Sequence, residues 1–363
     1  MKKLTVILIA AMFIVSIAPA YCMGDVIWQR EFNYGGNEAA YGVAVDTSNN
    51  VIVVGYGSNN TIVKYDSNGN KLRDQDVASN LLVTVATDSN NNIIVGGSGG
   101  ISKFGPNLGT ALWYDTPGSV QDIAVDSNNN IIVILSDKLY KYNPVGEFVW
   151  APKDFTNLTG LSVAVDSNNN IIVAGYESSN NPLKVVKFDS NGNVLWAKTY
   201  DVDGVTDFAY GVAVDPNNNI IATGVSGDEI LTIKYSSAGS QLWVKTYKEG
   251  TIDSVGHSVS TDSLGNIFVA GSFSTSSDDN WIVIKYDSNG TFGWKSVNPG
   301  ISSGYGYDIT TDSNNNVVAA GYGEQDSPSY TDFFYTVKYQ AEPKKKSLPI
   351  EFILKILQKN KNK

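Results

Sequence analysis

The sequence contains one cysteine, Cys22, and one histidine, His257, among its 363 residues. A single thiol excludes a disulfide framework and a zinc site built from several cysteines. A single imidazole excludes metal sites and catalytic arrangements that need two histidines. Beyond the N-terminus, the chain has no apolar run of the roughly 20 residues that a bilayer-spanning helix needs. No metal site is therefore predicted from these residue types.

Residues 1–20 have the pattern of a secretory signal peptide. Two lysines precede an apolar segment, 4–17, and the tripeptide at 18–20 has the small-x-small form of a cleavage site. We therefore expect a secreted or cell-surface protein. Cys22 also suggests a lipoprotein, but it follows Tyr21, where lipoprotein signals need a small residue.

Charge is distributed unevenly along the chain. The formal net charge is −10, but residues 1–20 contribute +2 and residues 342–363 contribute +5, so residues 21–341 carry −17. Because this part of the chain is strongly acidic, it should repel phosphate backbones, and no nucleic-acid partner is expected. The segment 341–363 combines a lysine run with apolar residues at helical spacing. We predict that its basic part, 344–363, attaches to an anionic surface or a partner; the alternative is that it folds back on the acidic body or frays.

A unit of about 44 residues recurs along the chain. Its most regular phrase is AVDSNNNIIV, residues 164–173. The aspartates of this phrase, here called the marker aspartates, are Asp46, Asp88, Asp126, Asp166, Asp215, Asp262 and Asp312. Short Val- and Ile-rich runs separated by Asn- and Gly-rich turns, at a period of about 40–50 residues, are typical of four-stranded propeller blades. Seven units predict seven blades.

One unit shows the four strands, a to d. We predict strand a over 161–165, b over 171–175, c over 183–188 and d over 194–200. The seventh unit stops after strand c, whereas VIWQR at 26–30 matches the strand d sequence VLWAK. The N-terminal strand is therefore predicted to complete the last blade and close the ring, which removes exposed sheet edges. The predicted fold is all-β, a single seven-bladed β-propeller of four-stranded blades over residues 25–340.

The pattern AVDSNNNIIVAGY…VVKFDSNGNVLW, which extends over residues 25–340, resembles the seven-bladed β-propeller repeat family of bacteria and archaea, known as SBBP repeats. It is more distantly similar to NHL repeats. The resemblance implies the propeller fold and an extracellular module. It supplies no catalytic motif that could be transferred to this chain, and a fold alone does not determine an activity.

The repeated Asp-Ser-Asn-Asn-Asn segments have the spacing of the start of a calcium loop. They lack the glycine and the distant bidentate carboxylate of such a loop, because Ile or Val follows and enters a strand. A hairpin turn is the favoured interpretation, with Asp accepting backbone hydrogen bonds and Asn or Gly adopting a positive φ. No cofactor is predicted, and calcium is the alternative.

Two further repeated features are interpreted as structural. Each strand c ends in a lysine and an aromatic residue, and we expect these lysines to pair with the marker aspartates of their own blades. Strand d carries a tryptophan in most units, and we expect its ring to fill the gap between diverging blades. The tryptophans are Trp113, Trp150, Trp196, Trp243 and Trp294, whereas the first unit has Arg73, which is expected to be exposed at the rim.

Seven residues, five positions before each marker aspartate, are predicted to surround the mouth of the central channel. These ring residues are Tyr41, Val83, Gln121, Leu161, Tyr210, His257 and Tyr307. One position further in, Asp122 and Asp308 replace the small residues of the other units. Aromatic and polar groups here suit a sugar or a peptide, so the candidate ligand-binding residues are Tyr41, Gln121, Asp122, Tyr210, His257, Tyr307 and Asp308. The alternative is a water-filled channel.

The same face is predicted to carry long b–c loops in blades four, six and seven, at 176–182, 272–280 and 322–331. Elaborated loops on a rigid scaffold are a common place for binding, although loop length also drifts without function.

These features together favour a non-catalytic, monomeric binding module for an extracellular glycan, peptide or envelope component. The first alternative is a lyase or hydrolase in which His257 acts as a base oriented by Asp308. The second alternative is a structural surface-layer component. The enzyme hypothesis predicts a tight cluster of His257, a carboxylate and a pocket, whereas the binding hypothesis predicts a broad aromatic and acidic surface. The structural hypothesis predicts neither feature.

Overall fold

The computed structural model describes residues 24–33, 38–57, 59–77, 81–177, 182–202, 204–324 and 332–341. The predicted signal peptide and the basic segment 344–363 lie outside these residues. In the described part of the chain, 28 strands form seven antiparallel sheets of four strands each. The same residues include no helix that is long and apolar enough to cross a membrane. The predicted all-β, seven-bladed propeller is confirmed.

The first strand, β1 (Val26–Phe32), belongs to the last sheet. Blade one contains β2 (Ala39–Val45), β3 (Val51–Tyr56), β4 (Asn60–Tyr65) and β5 (Lys71–Asp76). Blade two contains β6 (Leu82–Thr87), β7 (Ile93–Gly97), β8 (Gly100–Phe104) and β9 (Trp113–Asp115). Blade three contains β10 (Asp122–Val125), β11 (Ile131–Ile134), β12 (Lys138–Tyr142) and β13 (Lys153–Asp154).

The remaining blades follow the same order. Blade four contains β14 (Thr159–Val165), β15 (Ile171–Tyr176), β16 (Leu183–Phe188) and β17 (Val194–Tyr200). Blade five contains β18 (Asp207–Val214), β19 (Ile220–Ser226), β20 (Glu229–Tyr235) and β21 (Gln241–Tyr247). Blade six contains β22 (Ser254–Thr261), β23 (Ile267–Ser274), β24 (Asp279–Tyr286) and β25 (Phe292–Val297). Blade seven contains β26 (Ser303–Thr311), β27 (Val317–Glu324), β28 (Phe333–Tyr339) and β1.

The ring closes in blade seven, where the N-terminal strand β1 pairs antiparallel with β28. Trp28 lies opposite Lys338 in this ladder, as Trp196 lies opposite Lys187 in blade four. The sequence match between residues 26–30 and strand d therefore predicted the closure correctly.

The apolar core lies between neighbouring blades rather than within one sheet. One cluster, for example, joins Trp28 and Phe334 of blade seven to Val53 and Val63 of blade one. Both faces of each strand b are covered by this arrangement, which explains why these strands are apolar without alternation. Burial of each such aliphatic side chain contributes on the order of 2 kcal/mol.

The marker aspartates hold the a–b turns. The Oδ1 atom of Asp166 accepts hydrogen bonds from the backbone N–H groups of Asn168 and Asn170, at 2.9 Å each. Its Oδ2 atom accepts from Asn170 Nδ2 at 2.9 Å and lies 2.8 Å from Lys187 Nζ. Burial opposes ionisation of this carboxyl, but these hydrogen bonds outweigh it and lower its pKa. The hairpin-turn interpretation of the motif is confirmed.

Six of the predicted Lys–Asp pairs are formed within the described blades, with N–O distances between 2.8 and 2.9 Å. Each of these ammonium groups also donates to a backbone carbonyl in the c–d turn of the next blade. Lys187, for example, donates to Ser237 O at 3.3 Å, and Trp196 Nε1 donates to the same oxygen at 3.1 Å. The lysine and tryptophan of one blade therefore hold the neighbouring blade, and the predicted structural role of both is confirmed.

Two details differ from the sequence-based predictions. Trp150 is not in strand d, because Pro152 has no N–H for the ladder and β13 is only two residues long. The predicted loop 272–280 is mostly strand, since β23 and β24 extend to Ser274 and from Asp279, which leaves four residues between them. In blade seven, β27 likewise continues to Glu324, and residues 325–331 lie outside the described part, as do 178–181 of the blade-four loop.

Candidate functional site

Six of the seven ring residues lie at β-bulges in strand a. In each blade other than blade three, the a–b register shifts at this residue, as between Gly256 and Ser258 around His257. The other five shifts occur at Tyr41, Val83, Leu161, Tyr210 and Tyr307. A bulge adds one residue that has no partner in the ladder and turns its side chain out of the regular alternation. The bulges therefore position the ring residues at the channel mouth.

A glycine on strand b faces each bulge. Gly256 pairs with Gly271, and a Cβ atom at Gly271 would collide with the carbonyl oxygen of Val255. Glycine recurs here because the bulge brings two backbones too close together for a side chain. Blade three has Leu135 at this position, and its strand a begins only at Asp122, after the ring residue. Within the described residues, blade three therefore lacks both this glycine and the bulge in strand a.

All seven ring residues line one cavity on the axis, together with Thr84, Asp122, Ser162, Ser258 and Asp308. The cavity has a volume of about 120 Å³. Pockets for small molecules are usually about 300–1,000 Å³, and a water molecule takes about 30 Å³. The channel thus has room for a few waters, and a ligand the size of a sugar would rest on its mouth.

The two channel aspartates connect strands a of different blades. Asp122 accepts hydrogen bonds from Thr84 Oγ1 of blade two at 2.9 Å and from Ser162 Oγ of blade four at 2.9 Å. Asp308 accepts from Ser258 Oγ of blade six at 2.7 Å and from Val43 N of blade one at 2.7 Å. Burial raises the pKa of both carboxyls, that of Asp308 to about 7, with a further contribution from the charge of Asp122. Because these hydrogen bonds join neighbouring blades, both residues have a clear structural role.

His257 and Asp308 line the same cavity but have different hydrogen-bond partners. His257 Nε2 lies 2.9 Å from Ser272 Oγ on β23. Burial lowers the imidazole pKa to about 4, so the ring is neutral at physiological pH and is a weak base. Ser272 is only 2% exposed. His257 and Asp308 are thus each hydrogen-bonded to a serine, Ser272 and Ser258 respectively.

Half-buried aromatic rings cover the mouth on the side of blades four to seven and blade one. His257 lies 6.1 Å from Tyr210 and 5.6 Å from Tyr307, measured between ring centroids, and Tyr41 lies 4.9 Å from Tyr307. We call the connected set the mouth aromatics; they are Tyr41, Tyr176, Phe208, Tyr210, His257, Tyr305, Tyr307 and Tyr322. Their partial exposure gives a continuous surface for stacking.

Carboxylates lie beside these rings, at the b–c ends of strands in blades six and seven. Asp279 begins β24 and accepts a hydrogen bond from Ser274 Oγ at 2.6 Å. Burial and then Asp279 raise the pKa of Tyr305 in the neighbouring blade. Glu324 ends β27, and Asp332 directly precedes β28. Burial raises the pKa of Glu324, and the negative charges of Asp332, Asp279 and Asp278 raise it further. We call Asp279, Glu324 and Asp332 the mouth carboxylates.

Several of these residues were not singled out from the sequence. Tyr176, Ser272 and Tyr322 each stand ten positions after a marker aspartate, which is a regular position that could have been compared across units. The mouth carboxylates have no such signal, because they lie in b–c segments that differ in length from blade to blade. Among the described residues, no group of three or more His, Cys, Asp or Glu side chains is arranged to hold a metal ion.

No family model matches the sequence, and no curated protein does. Solved structures match the fold. A catalytically inactive virginiamycin B lyase from Staphylococcus aureus, crystallised with quinupristin, is similar with a TM-score of 0.62 and 12% identity, over 86% of this chain and 99% of that chain. The WD40 β-propeller domain of Doa1 is similar with a TM-score of 0.63 and 17% identity, over 88% of this chain and 97% of that chain. At these low identities, the similarity shows the propeller fold alone. The function has to be argued from the residues of the site.

Proposed function

We propose that this protein is a non-catalytic binding module that holds an extracellular glycan, peptide or envelope component on the mouth of its channel. The observation that carries the proposal is the set of mouth aromatics, which forms a partly exposed surface over a channel too small for such a ligand. Stacking on aromatic faces is a common way to hold a sugar ring or a peptide side chain.

The expected location and family belong to the same proposal. Residues 1–20 support export and hence an extracellular ligand. The repeat pattern supports a relationship to the SBBP repeat propellers. Residues 344–363 support peripheral attachment to an anionic surface through their lysines.

A glycan and peptide binding array on the mature protein tests the proposal. Tyr210→Ala and His257→Ala remove two adjacent mouth aromatics. Tyr114→Ala is the matched control, because Tyr114 is 76% exposed and lies on strand d at the outer edge of blade two. We expect the control to bind like the unmodified protein and both mouth variants to lose at least about tenfold in affinity, which is about 1.4 kcal/mol. The array is repeated with EDTA to test the calcium alternative.

Three results would contradict the proposal. Binding that is equally weakened by Tyr114→Ala would place the ligand on the outer edge. Binding that the mouth variants leave unchanged would place it elsewhere on the surface. A folded protein that binds nothing on the array would favour the structural surface-layer role.

A further inference from the structure

Four of the mouth aromatics form a compact group where blade seven meets blade one. Tyr305, Tyr307 and Tyr322 are mutual neighbours, with centroid distances of 6.0, 5.4 and 6.0 Å. Tyr305 and Tyr307 are nearly parallel, with 7° between their planes. Tyr41 of blade one adds a fourth ring, 4.9 Å from Tyr307. All four are half-buried, so part of each ring reaches solvent.

The electrostatic surroundings of these tyrosines are negative. The pKa of Tyr307 is raised first by burial and then by neighbouring tyrosines and by the charges of Asp332 and Asp279. Burial is also the largest cause of the raised pKa of Tyr322 and of Tyr41. The same two carboxylates raise the pKa of Tyr322 further, and Asp332 raises that of Tyr41. The strongest charges acting on Glu324 are also all carboxylates. Aromatic faces and carboxylates both attract a cation, and here they lie at one place.

Building on the proposed function, we propose that the ligand is a peptide whose arginine or lysine side chain lies on the group formed by Tyr41, Tyr305, Tyr307 and Tyr322. The charged head reaches the mouth carboxylates Asp279, Glu324 and Asp332. The site spans blades six, seven and one.

The combination of aromatic rings and carboxylates at one place favours a basic peptide side chain over a neutral sugar. Long basic side chains have an apolar stem and a charged head, and they commonly place the stem along apolar surface. The tyrosines offer that surface, and Asp279 at the start of β24 and Glu324 at the end of β27 offer the charge. A neutral sugar could stack on the rings, but it would leave the crowded carboxylates without a counter-charge.

The probe is an acetylated and amidated Gly-Gly-Arg-Gly-Gly peptide, with lysine and citrulline counterparts, titrated into the mature full chain. Citrulline keeps the shape of arginine and has no charge. Glu324→Gln and Asp279→Asn remove charge with little change in shape, and Asp137→Asn is the matched control on the b–c connection of blade three. The Asp137 side chain is 68% exposed. Tyr322→Leu removes a ring, whereas Tyr322→Phe keeps it. Circular dichroism is used to check that each variant is folded.

We expect the arginine and lysine peptides to bind and the citrulline peptide to bind at least about tenfold more weakly. Glu324→Gln and Asp279→Asn should each weaken binding of the arginine peptide about fivefold or more. Asp137→Asn should weaken it less than about twofold. Tyr322→Leu should weaken binding about fivefold and Tyr322→Phe less than about twofold, within the range of cation–π contacts. Added salt should weaken binding, because half-exposed charges are screened.

Equal binding of the citrulline peptide, or no binding of either basic peptide, would overturn the cationic assignment. Binding of glucosamine that depends on Glu324, without peptide binding, would overturn the peptide assignment. A neutral glycan whose binding depends on Tyr210 but not on Glu324 would leave the proposed function standing and overturn only this inference. If neither a peptide nor a glycan bound at the mouth, the proposed function itself would be contradicted.

Discussion

Arg73 of blade one and Leu108 of blade two line the same cleft, and together they replace the tryptophan and glycine that meet at the other blade interfaces of the described chain. The tryptophan–glycine pairs are Trp28 with Gly69, Trp113 with Gly146, Trp150 with Gly192, Trp196 with Gly239, Trp243 with Gly290, and Trp294 with Gly24. Leu108 has a φ of 62°, which is uncommon for leucine, and is only 9% exposed. Its side chain packs in the core between blades one and two, where an indole is lacking.

This relationship predicts that the two positions are energetically coupled. Arg73→Trp alone should destabilise by about 1–3 kcal/mol because its indole meets Leu108, and Leu108→Gly alone by a similar amount because a buried side chain is lost. The double variant restores the pair of the other blades, so the coupling energy should exceed about 1 kcal/mol. Urea unfolding of the four proteins measures it, and simple additivity would contradict the interpretation.

The glycines opposite the bulges should be intolerant of a side chain. Gly271→Ala should lower the free energy of unfolding by more than about 2 kcal/mol, because its Cβ meets the Val255 carbonyl unless the bulge at His257 rearranges. Gly105→Ala is the matched control, since a Cβ there has no atom within 4 Å, and it should change stability by less than about 1 kcal/mol. Thermal unfolding checks both. If the two variants behave alike, the bulges do not require glycine.

The buried Lys–Asp pairs should matter far more than exposed ones. Lys187→Met leaves Asp166 buried without its ammonium partner, and should cost about 3–5 kcal/mol. Lys138→Met breaks a pair with Asp154 in which the two side chains are 36% and 81% exposed, so it should leave the stability almost unchanged. Chemical denaturation compares them. Equal small losses would show that the repeated pairs do not hold the blades.

His257 should titrate well below an ordinary histidine. Burial lowers its pKa from 6.5 to about 4, so the unfolded chain binds the proton more readily than the folded protein does. Its contribution to stability is therefore complete above pH 6.5 and is lost as the pH falls towards 4, with a slope of up to about 1.4 kcal/mol per pH unit. Because the chain has one histidine, its NMR signals report the midpoint directly.

His257→Gln is the reference for that measurement, because an amide can still contact Ser272. The stability difference between the unmodified protein and this variant should rise from pH 4 to 6.5 and then stay constant. An NMR midpoint near 6.5, with a flat difference, would show that the imidazole is not desolvated at the channel mouth.

The periodic features could be predicted from the sequence because each blade repeats the same local sequence pattern and the same local contacts. Marker aspartates such as Asp166, the lysines that pair with them and the tryptophans recur at fixed positions, so one unit explains the others. The match of Trp28 to Trp196 even predicted the closing strand. The ring around His257 was predicted for the same reason, and the structure places its seven members in one cavity.

The departures from the repeat needed three-dimensional structure. Nothing local distinguishes Tyr307 as a bulge residue, because a bulge depends on how two strands pair. The crowding of Glu324, Asp332 and Asp279 arises between hairpins of different blades and loops of unequal length.

The amino-acid sequence alone thus determined the number of blades, the strand order, the closure and the Lys–Asp pairs, because these follow from short-range periodicity repeated seven times. Only the tertiary structure decided which side chains share a surface at the mouth, and that His257 is hydrogen-bonded to Ser272 and Asp308 to Ser258. Those contacts join residues of different strands and blades, and their geometry depends on bulges and on the angle between neighbouring sheets rather than on spacing along the chain.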